Sequence, residues 1–198
     1  MRKGKTMRSL RHLLIVVLLC TPTLAEEPVH FESSVLKGLV EQQLGVTNPT
    51  PTDMLLLEEL RGLDGDNVVN HVPSLVGLEY AKNLRVLSLN NSQVASVLPL
   101  KNLAKLEMLE LRNALISDVS PLSGLPSLAR LDLSGNPIAE FTAANLPKLT
   151  YLSLRGTQIK QISRLSGLTT LTELWLTSTA IADLTPLRGL SKSLCPGR

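Results

Sequence analysis

The chain has 198 residues, a length that suits one domain with short appendages. Aromatic residues make up only 3%, so Leu, Val and Ile must supply nearly the whole core, which favours a solenoid of small stacked layers. The formal net charge of +3 includes five of the 20 basic residues before residue 26; the remainder holds 15 basic and 17 acidic residues, which argues against nucleic-acid binding.

Residues 1–25 predict a secretory signal peptide that is cleaved near Ala25. Basic residues precede an apolar run at residues 13–19, and Thr-Leu-Ala at residues 23–25 offers a cleavage site. The run is too short for a membrane-spanning helix, which needs roughly 20 apolar residues. Lipidation of Cys20 is the weaker alternative, because Leu19 stands where a small residue is preferred. We therefore expect an exported protein that is secreted, periplasmic or at the cell surface, with no membrane span in its mature chain.

Residues 29–60 predict a helical N-terminal cap. Apolar residues between positions 31 and 44 recur at steps of three and four, as on an amphipathic helix. Thr-Pro-Thr-Asp at residues 50–53 opens a second short helix, with residues 54–57 and Leu60 as its apolar side. A solenoid needs such a cap, because its first repeat would otherwise expose apolar surface.

Residues 61–190 predict leucine-rich repeats, one degenerate at residues 61–80 and five regular. The clearest repeat reads LARLDLSGNPI at residues 128–138 and matches L-x-x-L-x-L-x-x-N, the leucine-rich repeat consensus. The first leucines of five such segments are 22, 22, 21 and 22 residues apart. They are Leu84, Leu106, Leu128, Leu149 and Leu171.

The repeat predicts an α/β repeat solenoid. Its x-x-L-x-L half is extended, and stacking these halves gives a parallel concave β-sheet with the leucines inward. The other half, as in ISDVSPL at residues 116–122 and IADLTPL at residues 181–187, leaves room only for short 3₁₀-like convex turns. The predicted fold is thus a leucine-rich repeat horseshoe with an N-terminal helical cap.

Residues 29 to about 190 resemble bacterial internalin-like leucine-rich repeat proteins. The resemblance rests on VHFESSVLKGLVEQQLG, TPTDMLLLEEL and GLEYAKNL, and on the repeats that end in ISDVSPL and IADLTPL. It implies that the concave face binds other proteins and that the chain has no catalytic activity.

The chain departs from that family at two places. Where the family has an asparagine that bonds the backbone of adjacent turns, Ala114 cannot do so, and an unmet buried group costs about 1–3 kcal/mol. We therefore expect the chain to be loosened or hydrated at Ala114. The second departure is the uncapped tail at residues 191–198. This tail leaves open that the chain is a truncated or structural fragment, or that two copies pair through Cys195 or the last repeat.

Outward positions of the predicted sheet supply the candidate binding residues. Tyr, Trp, Arg and Met are the residue types enriched at protein interfaces. One predicted patch combines Trp175, Tyr151 and Arg155; a second combines Arg112, Arg130, Glu110 and Asp132, which could equally be cross-strand charge pairs on a solvated face. Met108 and Glu173 complete the set.

Catalytic and metal-binding patterns have little support. The mature chain has only His30 and His71, with no partner at triad or metal-ligand spacing. Residues 64–67 begin like a calcium loop, but Val68 takes the next ligand position. We expect no enzyme, cofactor or metal. The leading hypothesis is an exported module that binds a protein, with a glycan as second choice; the alternative is a scaffolding fragment without a partner.

Overall fold

The computed structural model describes residues 25–62 and 71–190. Several predicted features lie outside these residues. They are the signal peptide up to residue 24 with Cys20, the calcium-like segment at 64–67, and the tail at 191–198 with Cys195.

Helix α1 (Ser34–Leu44) forms most of the cap. It begins where the side chain of Ser33 accepts a hydrogen bond from the backbone N–H of Leu36. It ends at Gly45, whose left-handed backbone, with φ of 69°, lets its N–H donate to the carbonyl of Glu41. One face of the helix is buried against the first repeat, which closes that end of the core.

Helix α2 (Pro51–Met54) is a single turn, shorter than predicted. Thr50 and Asp53 bond each other's backbone N–H groups. The carboxylate of Asp53 accepts from both the backbone N–H and the hydroxyl of Thr50, and these two bonds hold the pKa of Asp53 below its ordinary value. The prediction that residues 54–57 and Leu60 form the apolar side of this helix is wrong. Leu56 is 73% exposed, and Leu60 belongs to the first strand of the sheet. The sheet thus begins at Glu59, within the range assigned to the cap.

Within the described residues, six short strands form one parallel sheet in chain order. They are β1 (Glu59–Arg61), β2 (Val86–Ser88), β3 (Met108–Glu110), β4 (Arg130–Asp132), β5 (Tyr151–Ser153) and β6 (Glu173–Trp175). The register aligns the middle leucine of every strand, from Leu60 to Leu174. Because these leucines alternate with outward residues, the sheet has one core face and one open face.

Short 3₁₀ turns return the chain on the convex side. In the described residues they are Leu78–Tyr80, Leu98–Leu100, Ser120–Leu122, Ser163–Gly167 and Thr185–Leu190. The repeat between β4 and β5, which is one residue shorter, has no 3₁₀ turn among its described residues, and its Glu140 forms an isolated parallel bridge with Gln161 of the next repeat. The predicted horseshoe with a concave parallel sheet is confirmed.

For one backbone group near Ala114, the carbonyl of Leu111, the expectation of an unmet hydrogen bond is wrong. In later repeats a threonine bonds the carbonyl three residues before it, as Thr157 does to Leu154 at 2.7 Å. Ala114 cannot reach the equivalent carbonyl of Leu111, but the side chain of Asn136 donates to that carbonyl from the next repeat, at 2.7 Å. One asparagine therefore serves two repeats.

Two glycines at the same turn position allow a direct test of backbone strain. Gly135 and Gly156 have φ of 72° and 65°, which costs other residues about 1–2 kcal/mol. A Cβ at Gly135 would also overlap Oδ1 of Asn113, whose side chain bonds Asn91, whereas one at Gly156 meets nothing nearer than 3.8 Å.

We therefore expect Gly135→Ala to destabilise the protein by about 1 kcal/mol more than Gly156→Ala, because it also displaces the Asn113 hydrogen bond. Urea unfolding of both variants measures the difference. The reverse order would contradict the overlap at Gly135.

Candidate functional site

The open face of the sheet carries the predicted binding residues in two columns. Cross-strand pairing aligns Met108, Arg130, Tyr151 and Glu173 in one column. It aligns Glu110, Asp132, Ser153 and Trp175 in the other. Arg112 and Arg155 lie two residues beyond β3 and β5. All nine predicted residues therefore belong to four consecutive repeats on one face.

Four of these residues form one ionic cluster. Arg112 bonds Asp132 through Nε at 2.9 Å and also lies 3.7 Å from Glu110. Arg130 bonds the same oxygen of Glu110 at 3.2 Å. The side chains of Asp132 and Glu110 are only 4% and 15% exposed, so water screens this cluster less than it screens an ordinary surface pair. The predicted cross-strand charge pairs are thus present as a partly buried network.

Asp132 forms the base of this network. One of its carboxylate oxygens accepts from both the backbone N–H and the hydroxyl of Ser134, and the other accepts from Arg112. The hydroxyls of Ser134 and Ser153 are 2.8 Å apart and form a further bond. Both oxygens of Asp132 are therefore engaged, as a buried carboxylate requires.

Each aromatic side chain of the face stacks with an arginine of the preceding repeat. The guanidinium of Arg130 lies 3.6 Å from the centre of the Tyr151 ring. That of Arg155 lies 5.4 Å from the centre of the Trp175 ring. Both distances fall within the range of cation–π attraction. The predicted Trp175 patch thus divides into two stacks, and Arg130 joins Tyr151 to the ionic cluster.

Arg130 is the residue that connects the ionic and aromatic parts. Burial acts to lower its pKa, but the hydrogen bond to Glu110 and the nearby Tyr151 and Asp132 outweigh burial, and the pKa of Arg130 is raised. The guanidinium is therefore charged at every physiological pH. Its position is held from two sides, by a carboxylate and by a ring.

A cavity of about 230 Å³ opens over the ends of β3, β4 and β5. Its lining consists of Arg112, Asp132, Ser134, Tyr151, Ser153 and Arg155. Sequence reasoning did not select the two serines as site residues, although their positions, Ser153 between two leucines and Ser134 directly after one, were a usable signal. Met108 and Glu173 are outside the lining; Met108 is half-buried and Glu173 is exposed.

A family model described as "Leucine Rich repeats (2 copies)" matches residues 82–124, 104–146 and 147–189. The chain belongs to the leucine-rich repeat family. None of the curated proteins matches this leucine-rich repeat protein.

Among solved structures, the leucine-rich repeat protein is similar to internalins of Listeria monocytogenes. An internalin (InlF) is 26% identical, with a TM-score of 0.64 over 87% of this chain and 58% of that one. Internalin C2 is 27% identical, with a TM-score of 0.55 over 83% of this chain and 92% of that one. The functional domain of InlJ shares the fold at 21% identity and a TM-score of 0.62, over 77% of this chain and 33% of that one. The protein is therefore internalin-like.

The described part of the leucine-rich repeat protein contains no cluster of three or more residues that could hold a metal ion. Within the same residues, no helix is long and apolar enough to cross a membrane. Neither His30 nor His71 belongs to the concave face, since His30 precedes α1 and His71 lies between β1 and β2.

Proposed function

We propose that this protein is an exported, non-enzymatic module that recognises a protein partner through its concave face. The observation that carries the proposal is the joined set of arginine, carboxylate and aromatic side chains across β3 to β5, with a second arginine–aromatic stack, Arg155 and Trp175, beside it. Internalin-like leucine-rich repeats are commonly protein-interaction modules, and the residue types on this face are those enriched at interfaces.

The network favours binding because its long side chains are already held in place. Fixing a flexible side chain at an interface costs about 0.5–1.5 kcal/mol. Arg130, held between Glu110 and Tyr151, has lost much of that freedom before any partner arrives. A surface ordered in this way suits a partner with matching charges and planar groups, which a protein offers more readily than a glycan.

The aromatic residues provide the test. We expect the double variant Tyr151→Ala, Trp175→Ala to bind selected ligands at least about 30-fold more weakly, since central aromatic residues contribute 2 kcal/mol or more at hot spots. Peptides are selected from a random displayed library on the wild-type protein, and their affinities for both proteins are measured by calorimetry.

Tyr80→Ala is the matched control, because Tyr80 is an exposed tyrosine in the convex turn Leu78–Tyr80. Its variant should keep wild-type affinity. Thermal unfolding of each variant shows whether a loss reflects the surface or the fold. Selection of no peptide, or undiminished binding by a folded double variant, would reject the concave-face assignment.

A further inference from the structure

We propose that the cavity between Arg112 and Arg155 is a carboxylate-binding subsite that receives an Asp or Glu side chain from an acidic segment of the partner. The proposal deepens the proposed function, because it rests on the concave face being a binding surface. It adds the chemical class of the group recognised there.

The two arginines stand on opposite sides of the cavity. They follow β3 and β5, so their backbones are two strands apart, roughly 10 Å at ordinary strand spacing. Arginine side chains are long enough to reach a group between them from both sides. Guanidinium groups donate paired hydrogen bonds to carboxylates, and the hydroxyl of Tyr151 supplies a further donor in the lining.

The carboxylate of Asp132, which lines the cavity, is not the anion that the two arginines would bind there. Asp132 is 3% exposed, and its two oxygens accept bonds from Ser134 and Arg112. Arg112 uses Nε for this bond, and its terminal nitrogens approach a carboxylate only at 3.7 Å, from Glu110. Arg112 therefore keeps donors for a second anion, with its side chain 43% exposed.

Arg155 is the less committed of the two arginines. Within the described residues it forms no ion pair, while Arg85, Arg112 and Arg130 all do. It is exposed, and its guanidinium is oriented by the Trp175 ring. A charged donor that is held in place and lacks an anion is what a carboxylate subsite requires.

Charge and size select a carboxylate over larger or more highly charged groups. The lining has two guanidiniums and one carboxylate, leaving one positive charge, and the adjacent Arg130 and Glu110 balance each other. One excess charge matches a monoanion better than a phosphate group, which carries about −1.5 to −2. The volume of about 230 Å³ is below the range of about 300–1,000 Å³ for whole small-molecule ligands, so one side chain is the fitting occupant.

The peptides selected on the wild-type protein test this subsite. We expect them to share an Asp or Glu at a fixed position, and replacement of that residue by Asn or Gln to weaken binding about 10-fold. On the Arg155→Gln variant the same replacement should change affinity less than twofold. Arg164→Gln is the matched control, since Arg164 is an exposed arginine in the convex turn Ser163–Gly167 of the same repeat. On this variant, replacing the acidic residue of the peptide should weaken binding as much as it does on the wild-type protein.

The outcomes separate the two proposals. Selected peptides that need Tyr151 and Trp175 but have no shared acidic residue would overturn the subsite and leave the proposed function standing. If replacing the acidic residue weakened binding equally on the wild-type and Arg155→Gln proteins, the subsite would also be overturned. The same conclusion would follow if a phosphoserine peptide competed at 10-fold lower concentration than the same peptide with glutamate at that position. Failure to select any peptide would overturn both.

Discussion

Replacing Leu131 with alanine is expected to destabilise the protein by about 2–5 kcal/mol, the cost of a cavity in a packed core. Leu131 is the middle residue of β4, has no exposed surface, and pairs with Leu109 and Leu152 of the flanking strands. Neighbouring side chains cannot move in to fill this cavity, because the strands that carry them are held at the fixed spacing of the repeats. Urea unfolding followed by circular dichroism measures the loss.

Leu115→Ala is the matched control, because it removes the same atoms from a leucine that is 57% exposed. We expect it to change stability by less than about 0.5 kcal/mol. Arg130→Ala tests the neighbouring outward position, where the loss of a partly buried ion pair and one ring contact should reduce stability less than Leu131→Ala does. Equal midpoints for Leu131→Ala and Leu115→Ala would contradict the inward assignment of the leucine frame.

The regular part of the fold could be predicted from the sequence because its cause is local. A leucine at every second position of the extended segment, repeated every 21 or 22 residues, determines which side faces the core and how strands stack. The strand register, the open concave face and the short convex turns all follow from that period.

The first turn of the sheet was harder to predict because two patterns overlap there. Residues 54–57 contain three consecutive leucines, which fit a helix face as well as a strand entry. In the structure Leu57 is buried but Leu56 is exposed, and the chain leaves the helix after Met54. The chain enters a strand here because it pairs with β2, which lies 27 residues further along the chain. The local pattern of apolar residues carries no information about that pairing.

The sequence predicted charge pairs on the concave face, but not which side chains pair with which. Glu110 is within bonding distance of both Arg112 and Arg130, while Asp132 bonds Arg112. Column positions limited the candidates to these neighbours, but the choice among them depends on rotamers and on the burial of Asp132 beside Ser134. For the same reason the sequence supplied Tyr151 and Trp175 as a pair, whereas the structure stacks each with a different arginine.

Asn136→Ala is expected to destabilise the protein by about 3–5 kcal/mol, although the side chain is polar. Asn136 is 1% exposed, donates to the carbonyls of Leu111 and Leu133, and accepts from the backbone N–H of Ile116. Its removal leaves three buried backbone groups unpaired, each costing about 1–3 kcal/mol before the chain relaxes. Thr157→Ala, which breaks a single such bond, should cost about 1–2 kcal/mol. Hydrogen exchange of the Ile116 amide should accelerate only in Asn136→Ala.

The sharing of Asn136 between two repeats predicts that positions 114 and 136 are coupled. An asparagine at position 114 could bond the carbonyl of Leu111 itself, three residues before it, as Thr157 bonds Leu154. In the Asn136→Ala protein, Ala114→Asn should therefore restore about 1 kcal/mol. In the wild-type protein that carbonyl already has a donor, and a larger side chain at a position only 4% exposed should destabilise the fold. The substitution thus changes sign between the two backgrounds, whereas the same effect in both would show that the two repeats satisfy their backbones independently.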